Sequence, residues 1–120
     1  MLADIDGACA KAGITYDAFF SGHAHSLQRY SRTVAGTKAS VPFIVSGCLG
    51  HGAQAVGQSP GPAGANPQYL FGYKGWGFTT VTISPKSFNI TLFGVNWGAG
   101  STNTNITTRT QLDSSAYPLI

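Results

Sequence analysis

The sequence predicts an α+β chain, with one N-terminal helix followed by a mostly antiparallel β-sheet. Three observations carry this reading. Apolar residues recur at helical spacing in residues 2–12. A short, nearly continuous apolar run occupies residues 41–45. Two alternating runs flank a proline turn between residues 77 and 95.

The helix is predicted over Leu2 to Ala12, where Leu2, Ile5, Cys9 and Ala12 follow one another at spacings of three and four. Gly13 supplies the stop. From Ile14 to Phe20 the alternation of Ile14, Tyr16, Ala18 and Phe20 with Thr15 and Asp17 predicts a strand. It runs into the polar loop Ser21-Gly22-His23-Ala24-His25. A helix, a strand and then a polar loop at the strand's C-terminal end is α/β grammar, and sites in such folds lie at those ends.

Leu27 to Val34 reads as the next strand, turning through Gly36. Val41-Pro42-Phe43-Ile44-Val45 reads as a strand buried on both faces. Proline has no N–H for the ladder, so Pro42 is expected at that strand's start or on an edge. Residues 47–67 hold six glycines and three prolines and predict a long flexible loop. Gly77 to Val95 predicts a hairpin, with Ser84-Pro85-Lys86-Ser87 as a type I turn. Residues 96–120 read as a tail rich in Gly, Ser, Thr and Asn, with no element assigned.

Composition narrows the function classes. Of 120 residues, 42% are hydrophobic, which argues against disorder. Only 9% are charged, and glutamate is absent, so Ser, Thr, Asn and Gly must cover much of the surface. The net charge is +3, but the basic residues are scattered and form no run. A nucleic-acid partner is therefore not expected. No apolar run approaches the roughly 18 residues of a membrane span, so no membrane partner is expected either. No signal peptide is visible at the start, where Asp4 and Asp6 stand in place of a basic region and an apolar stretch. Cys9 and Cys48 fit a disulfide or two buried free thiols; burial as free thiols is the favoured reading.

The candidate site is His23 and His25. In an extended segment, residues two apart point the same way, with Cα atoms roughly 6.6 Å apart. The two imidazoles would then stand side by side and hold one metal ion, or one each of a pair. Imidazole nitrogen suits Zn, Fe, Cu and Ni. A lone His-x-His in a loop usually binds nothing, and two donors fall short of the three or four of a protein zinc site. His51, between two glycines, is either a third donor or a solvated loop histidine. Tyr73, Trp76 and Trp97 form either an aromatic platform or ordinary packing. Asn89-Ile90-Thr91 and Asn105-Ile106-Thr107 match the glycosylation sequon, a weak signal. Neither Ser21 nor Ser46 forms a hydrolase nucleophile elbow.

The segment from Phe19 to Tyr30, with Ser21-Gly22-His23-Ala24-His25 at its centre, resembles the last metal motif of the calcineurin-like metallophosphoesterases. It is closest to the purple and tartrate-resistant acid phosphatase branch. The order of elements agrees from Leu2 to Val95: a leading helix, the motif, then Phe43-Ile44-Val45-Ser46-Gly47 as the following strand and Ser-Gly. Gly75-Trp76-Gly77-Phe78 then opens the closing hairpin. The resemblance implies the C-terminal part of a β-sandwich, with residues 1–120 as one partial domain. It implies that His23 and His25 each bind one ion (Fe, Zn or Mn) of a dinuclear centre that hydrolyses a phosphoester substrate. Arg29 and Tyr30 would shape that site.

The family's other metal motifs are absent, and the only acids are Asp4, Asp6, Asp17 and Asp113. The isolated chain is therefore expected to lack a whole active site. The alternative is a non-catalytic binding or interaction protein, with weak metal binding at most. An exposed sheet edge in it would invite self-association.

Overall fold

The computed structural model describes residues 2–36, 40–48, 52–57, 59–95 and 108–119. These form one helix and two mostly antiparallel sheets, an α+β architecture as the sequence predicts.

Helix α1 spans Leu2–Ala12. It ends in a Schellman motif: the Ile14 amide donates to the Cys9 carbonyl and the Gly13 amide to that of Ala10. Gly13, at φ 66°, supplies the left-handed residue this cap needs. The cap also corrects the strand expected from Ile14. The Ile14 amide is spent on the helix end, and β1 is only Phe19–Ser21.

Strands β2 (Leu27–Thr33), β3 (Ser40–Ser46) and β4 (Gln68–Tyr73) complete the first sheet, in the order β1-β3-β2-β4. The β1–β3 pair is parallel; the other two are antiparallel. Pro42, expected at the strand's start or on an edge, is instead the third residue of the central strand β3, tolerated because β1 pairs only with Phe43–Val45 and leaves that side of Pro42 without a ladder partner. β4 was not assigned from sequence. The second sheet is β5 (Gly77–Ile83), β6 (Ser87–Val95) and β7 (Arg109–Pro118), antiparallel in that order. β5 and β6 are the hairpin expected around Pro85, and β7 falls in the stretch read as tail.

The strand period of two sorts the side chains into layers. Leu27, Ile44, Cys48, Phe88, Ile90 and Leu92 form the core between the sheets, with Leu112 and Tyr117 of β7 packed on it. Val41 and Phe43 face the other way, joining Val34 beneath Leu2, Tyr16, Phe19 and Tyr30. No residue of α1 is fully buried. An open cleft of about 300 Å3 lies between the helix and the segment that follows it. The helix is held by Asp6, whose carboxylate takes both prongs of the Arg32 guanidinium and the Tyr16 hydroxyl.

Both cysteines are free thiols. Cys48 is buried as expected, but Cys9 is half-exposed on α1, because the helix does not bury its apolar stripe. Among the described residues no helix is long and apolar enough to cross a membrane.

Candidate functional site

The loop from Gly22 to Ser26 leaves the C-terminal end of β1 and enters β2. It is not extended. The Ala24 amide donates to the Gly22 carbonyl at 3.0 Å, and that of Ser26 to Ala24 at 2.8 Å, so the chain makes two tight turns in succession. The side-by-side geometry of an extended His-x-His is therefore corrected to a coiled loop. His23 takes φ 73° and is the only non-glycine residue with positive φ among those described. Gly22, just before it, does not have positive φ. His23 is exposed and His25 half-buried.

Two neighbours hold this loop. Gly47, just after β3, donates its amide to the Ser26 carbonyl, and a Cβ there would lie 2.2 Å from the Ala24 carbonyl oxygen. Only glycine lets the two backbones approach this closely. Gln54 grips His25 from the side. Its side-chain oxygen accepts from the His25 amide at 2.9 Å, and its own amide donates to the His25 carbonyl at 2.8 Å. Sequence reasoning missed Gln54, since nothing local marks one glutamine among the polar residues of 47–67. That segment also packs along β4: Tyr69 donates to the Gly57 carbonyl and accepts from the Gly61 amide.

Below the loop the sheets are tied together. The Cys48 thiol donates to the Gly77 carbonyl at 3.1 Å, and the Thr79 hydroxyl donates to Ser46 at 3.1 Å. Burial pushes the Cys48 thiol above its ordinary pKa, against the hydrogen bond to Gly77.

Arg29 and Tyr30 turn away from each other. Arg29 crosses to the second sheet and pairs with Asp113, while Tyr30 donates to Gln28, which donates to Ser26. Tyr30 thus ends a polar chain reaching the foot of the histidine loop. Arg29 is part of the inter-sheet contact. Tyr73 and Trp76 line an open depression with Gly75, Gly94 and Leu112. Asn89 donates its side-chain amide to Ser114 at 3.2 Å in the sheet. His51, Trp97 and Asn105 lie outside the described residues.

Among the described residues, no three His, Cys, Asp or Glu side chains come together as a metal-binding group. Within the described residues the loop offers two imidazoles, fewer than the three or four donors of a protein zinc site. Comparison with protein-family models, with curated proteins and with solved structures gave no match.

Proposed function

We propose that His23 and His25 are the metal-ligand pair of a metallophosphoesterase-type, phosphoester-hydrolysing site, to which the described residues contribute one part. The observation that carries this reading is the backbone of His23. A left-handed conformation costs a non-glycine residue roughly 1–2 kcal/mol, and such residues cluster where function over-determines the chain. Here the costly residue is a histidine, at the C-terminal end of a strand with a parallel neighbour, two places before a second histidine. The turns, Gly47 and Gln54 all act to hold that shape.

The sequence likeness supports the same reading, since strand, Gly-His-x-His, strand and apolar strand with Ser-Gly follow in the order the resemblance implies. The missing donors favour a second reading, a non-catalytic protein that binds metal weakly through this pair. Two imidazoles alone do not complete a reaction step.

The test is titration of the chain with Zn, Mn and Fe(II), following the histidine ring resonances, beside His23→Ala and His25→Ala. Joint shifts of both rings at about micromolar metal, abolished by either substitution, are expected. Rings that stay silent up to about millimolar metal would remove the ligand pair and both readings with it. Joint binding only near the millimolar end selects the second reading.

A further inference from the structure

Four strand edges bound the two sheets, and three of them are protected. β1 is three residues long. β4 is covered by the segment around Gly57 and Gly61, through two hydrogen bonds to Tyr69. β7 carries Arg109, Asp113 and Pro118, and its pairing is broken by a bulge opposite Leu92 and Phe93. Short strands, covering loops, charges, proline and bulges are the devices by which proteins blunt an edge.

Among the described residues, β5 has none of them. Its sequence, Gly-Phe-Thr-Thr-Val-Thr-Ile, holds no charge and no proline, and it pairs with β6 in unbroken register. The first half is engaged by Ser46 at the end of β3 and by Cys48 just beyond it. The second half, Thr80 to Ile83, is exposed at every residue, and no described strand pairs with its outer side. Val81 and Ile83 lie opposite Ile90 and Phe88, both buried, so they belong to the face that looks into the sandwich. Yet Val81 is 43% and Ile83 73% exposed, because the first sheet does not reach over them.

We propose that the outer edge of β5, from Thr80 to Ile83, pairs antiparallel with the same edge of a second copy of this chain, joining two three-stranded sheets into one of six. A second copy is the fitting occupant for three reasons. A two-fold axis normal to the sheet makes an edge complementary to itself. It keeps inner faces on the same side, so Val81 and Ile83 of both copies meet as one apolar patch continuous with the core. An uncharged strand meets its copy without repulsion, and the dyad carries each Lys86 to an opposite end of the pair. Cross-strand β-branched pairs of this kind are favourable in antiparallel sheets. This inference does not depend on the metal site.

Sedimentation velocity of the whole chain over a concentration series is the test, with Val81→Lys on the β5 edge and Thr110→Lys on β7 as control. The expected result is a mass rising from one chain to two, a dimer dissociation constant raised at least about tenfold by Val81→Lys, and no change for Thr110→Lys. Hydrogen exchange of the wild type guards against a variant that merely unfolds. The amides of Val81 and Ile83, which alternate outward from the β6 ladder, should exchange more slowly as the dimer fills, and those on the β7 edge should not. A chain that stays monomeric at every concentration overturns the proposal. So does a dimer indifferent to Val81→Lys, or one that Phe20→Lys on β1 dissolves instead.

Discussion

Gly47 lies directly against Ala24, so close that a Cβ on Gly47 would stand 2.2 Å from the Ala24 carbonyl oxygen and 3.2 Å from the His23 amide nitrogen. The end of β3 thus sets the shape of the histidine loop through backbone contact rather than through any side chain. Gly47→Ala should force the loop off β3, at a cost of about 2 kcal/mol by the usual penalty for overpacking. Denaturant unfolding reads the cost. Amide shifts confined to residues 22–26 and 46–48 read its location. An alanine variant as stable as the parent, with unmoved loop amides, would mean the two backbones are not pressed together.

The backbone of His23 gives a second expectation. Glycine tolerates φ 73° freely, whereas alanine bears the same left-handed cost as histidine. His23→Gly should therefore be more stable than His23→Ala by about 1 kcal/mol, although both remove the imidazole. Thermal denaturation of the two variants decides it. Equal melting temperatures would place residue 23 in an ordinary conformation and take away the argument from strain.

Much of this was legible in the sequence, and the residues show why. α1 announced itself by spacing and by Gly13, which the cap uses as glycine is used elsewhere. The β5–β6 hairpin followed from strict alternation about a proline turn. β4 and β7 were harder. β7 mixes Asp113 and Tyr117 on its inner face and departs from period two where the bulge admits Leu112. The two histidines were picked out by type and spacing. Their true geometry depends on the approach of Gly47 and the grip of Gln54, contacts distant in sequence that leave no local pattern.

Asp6 sets a pH dependence at the acid end. The Arg32 guanidinium bonded to it holds its carboxyl below the ordinary carboxylate range, against the opposing effect of burial, and the Tyr16 hydroxyl helps. A carboxyl depressed in the folded state contributes stability that is present above its unfolded pKa of about 3.9. That contribution is lost as pH falls through the lower folded value. Unfolding midpoints measured from pH 6 downward should decline below about pH 4, and Asp6→Asn should flatten part of that decline. A variant whose acid limb matches the parent's would show that Asp6 is not the group responsible.

Tyr117 points to a simple gain. Among the described residues its hydroxyl is buried with no well-formed hydrogen bond, beside an Arg29 guanidinium already committed to Asp113, while its ring stacks on Phe88 at 5.3 Å. An unpaired buried hydroxyl costs about 1–3 kcal/mol, so Tyr117→Phe keeps the stacking and sheds part of that cost. The variant should be at least as stable as the parent. A loss of about 1 kcal/mol or more would reveal a hydrogen bond that this hydroxyl makes.

Arg29 and Asp113 supply the last prediction, since they lock the two sheets from strands far apart in the chain. Arg29 Nε reaches one carboxylate oxygen at 2.5 Å and an Nη reaches the other at 3.0 Å, with both side chains about 15% exposed. Burial alone would lower the guanidinium's hold on its proton. The hydrogen bond and charge of Asp113, together with the neighbouring Tyr117, outweigh that and keep the group above its ordinary value. Removing either partner leaves a nearly buried charge alone, which costs about 3 kcal/mol in comparable sites. Replacing both with apolar residues removes the charge along with its partner. Arg29→Met and Asp113→Leu should each destabilise strongly, and the double variant should cost clearly less than their sum. Strict additivity in that cycle would mean the pair is screened by water and the sheets are held by the apolar core alone.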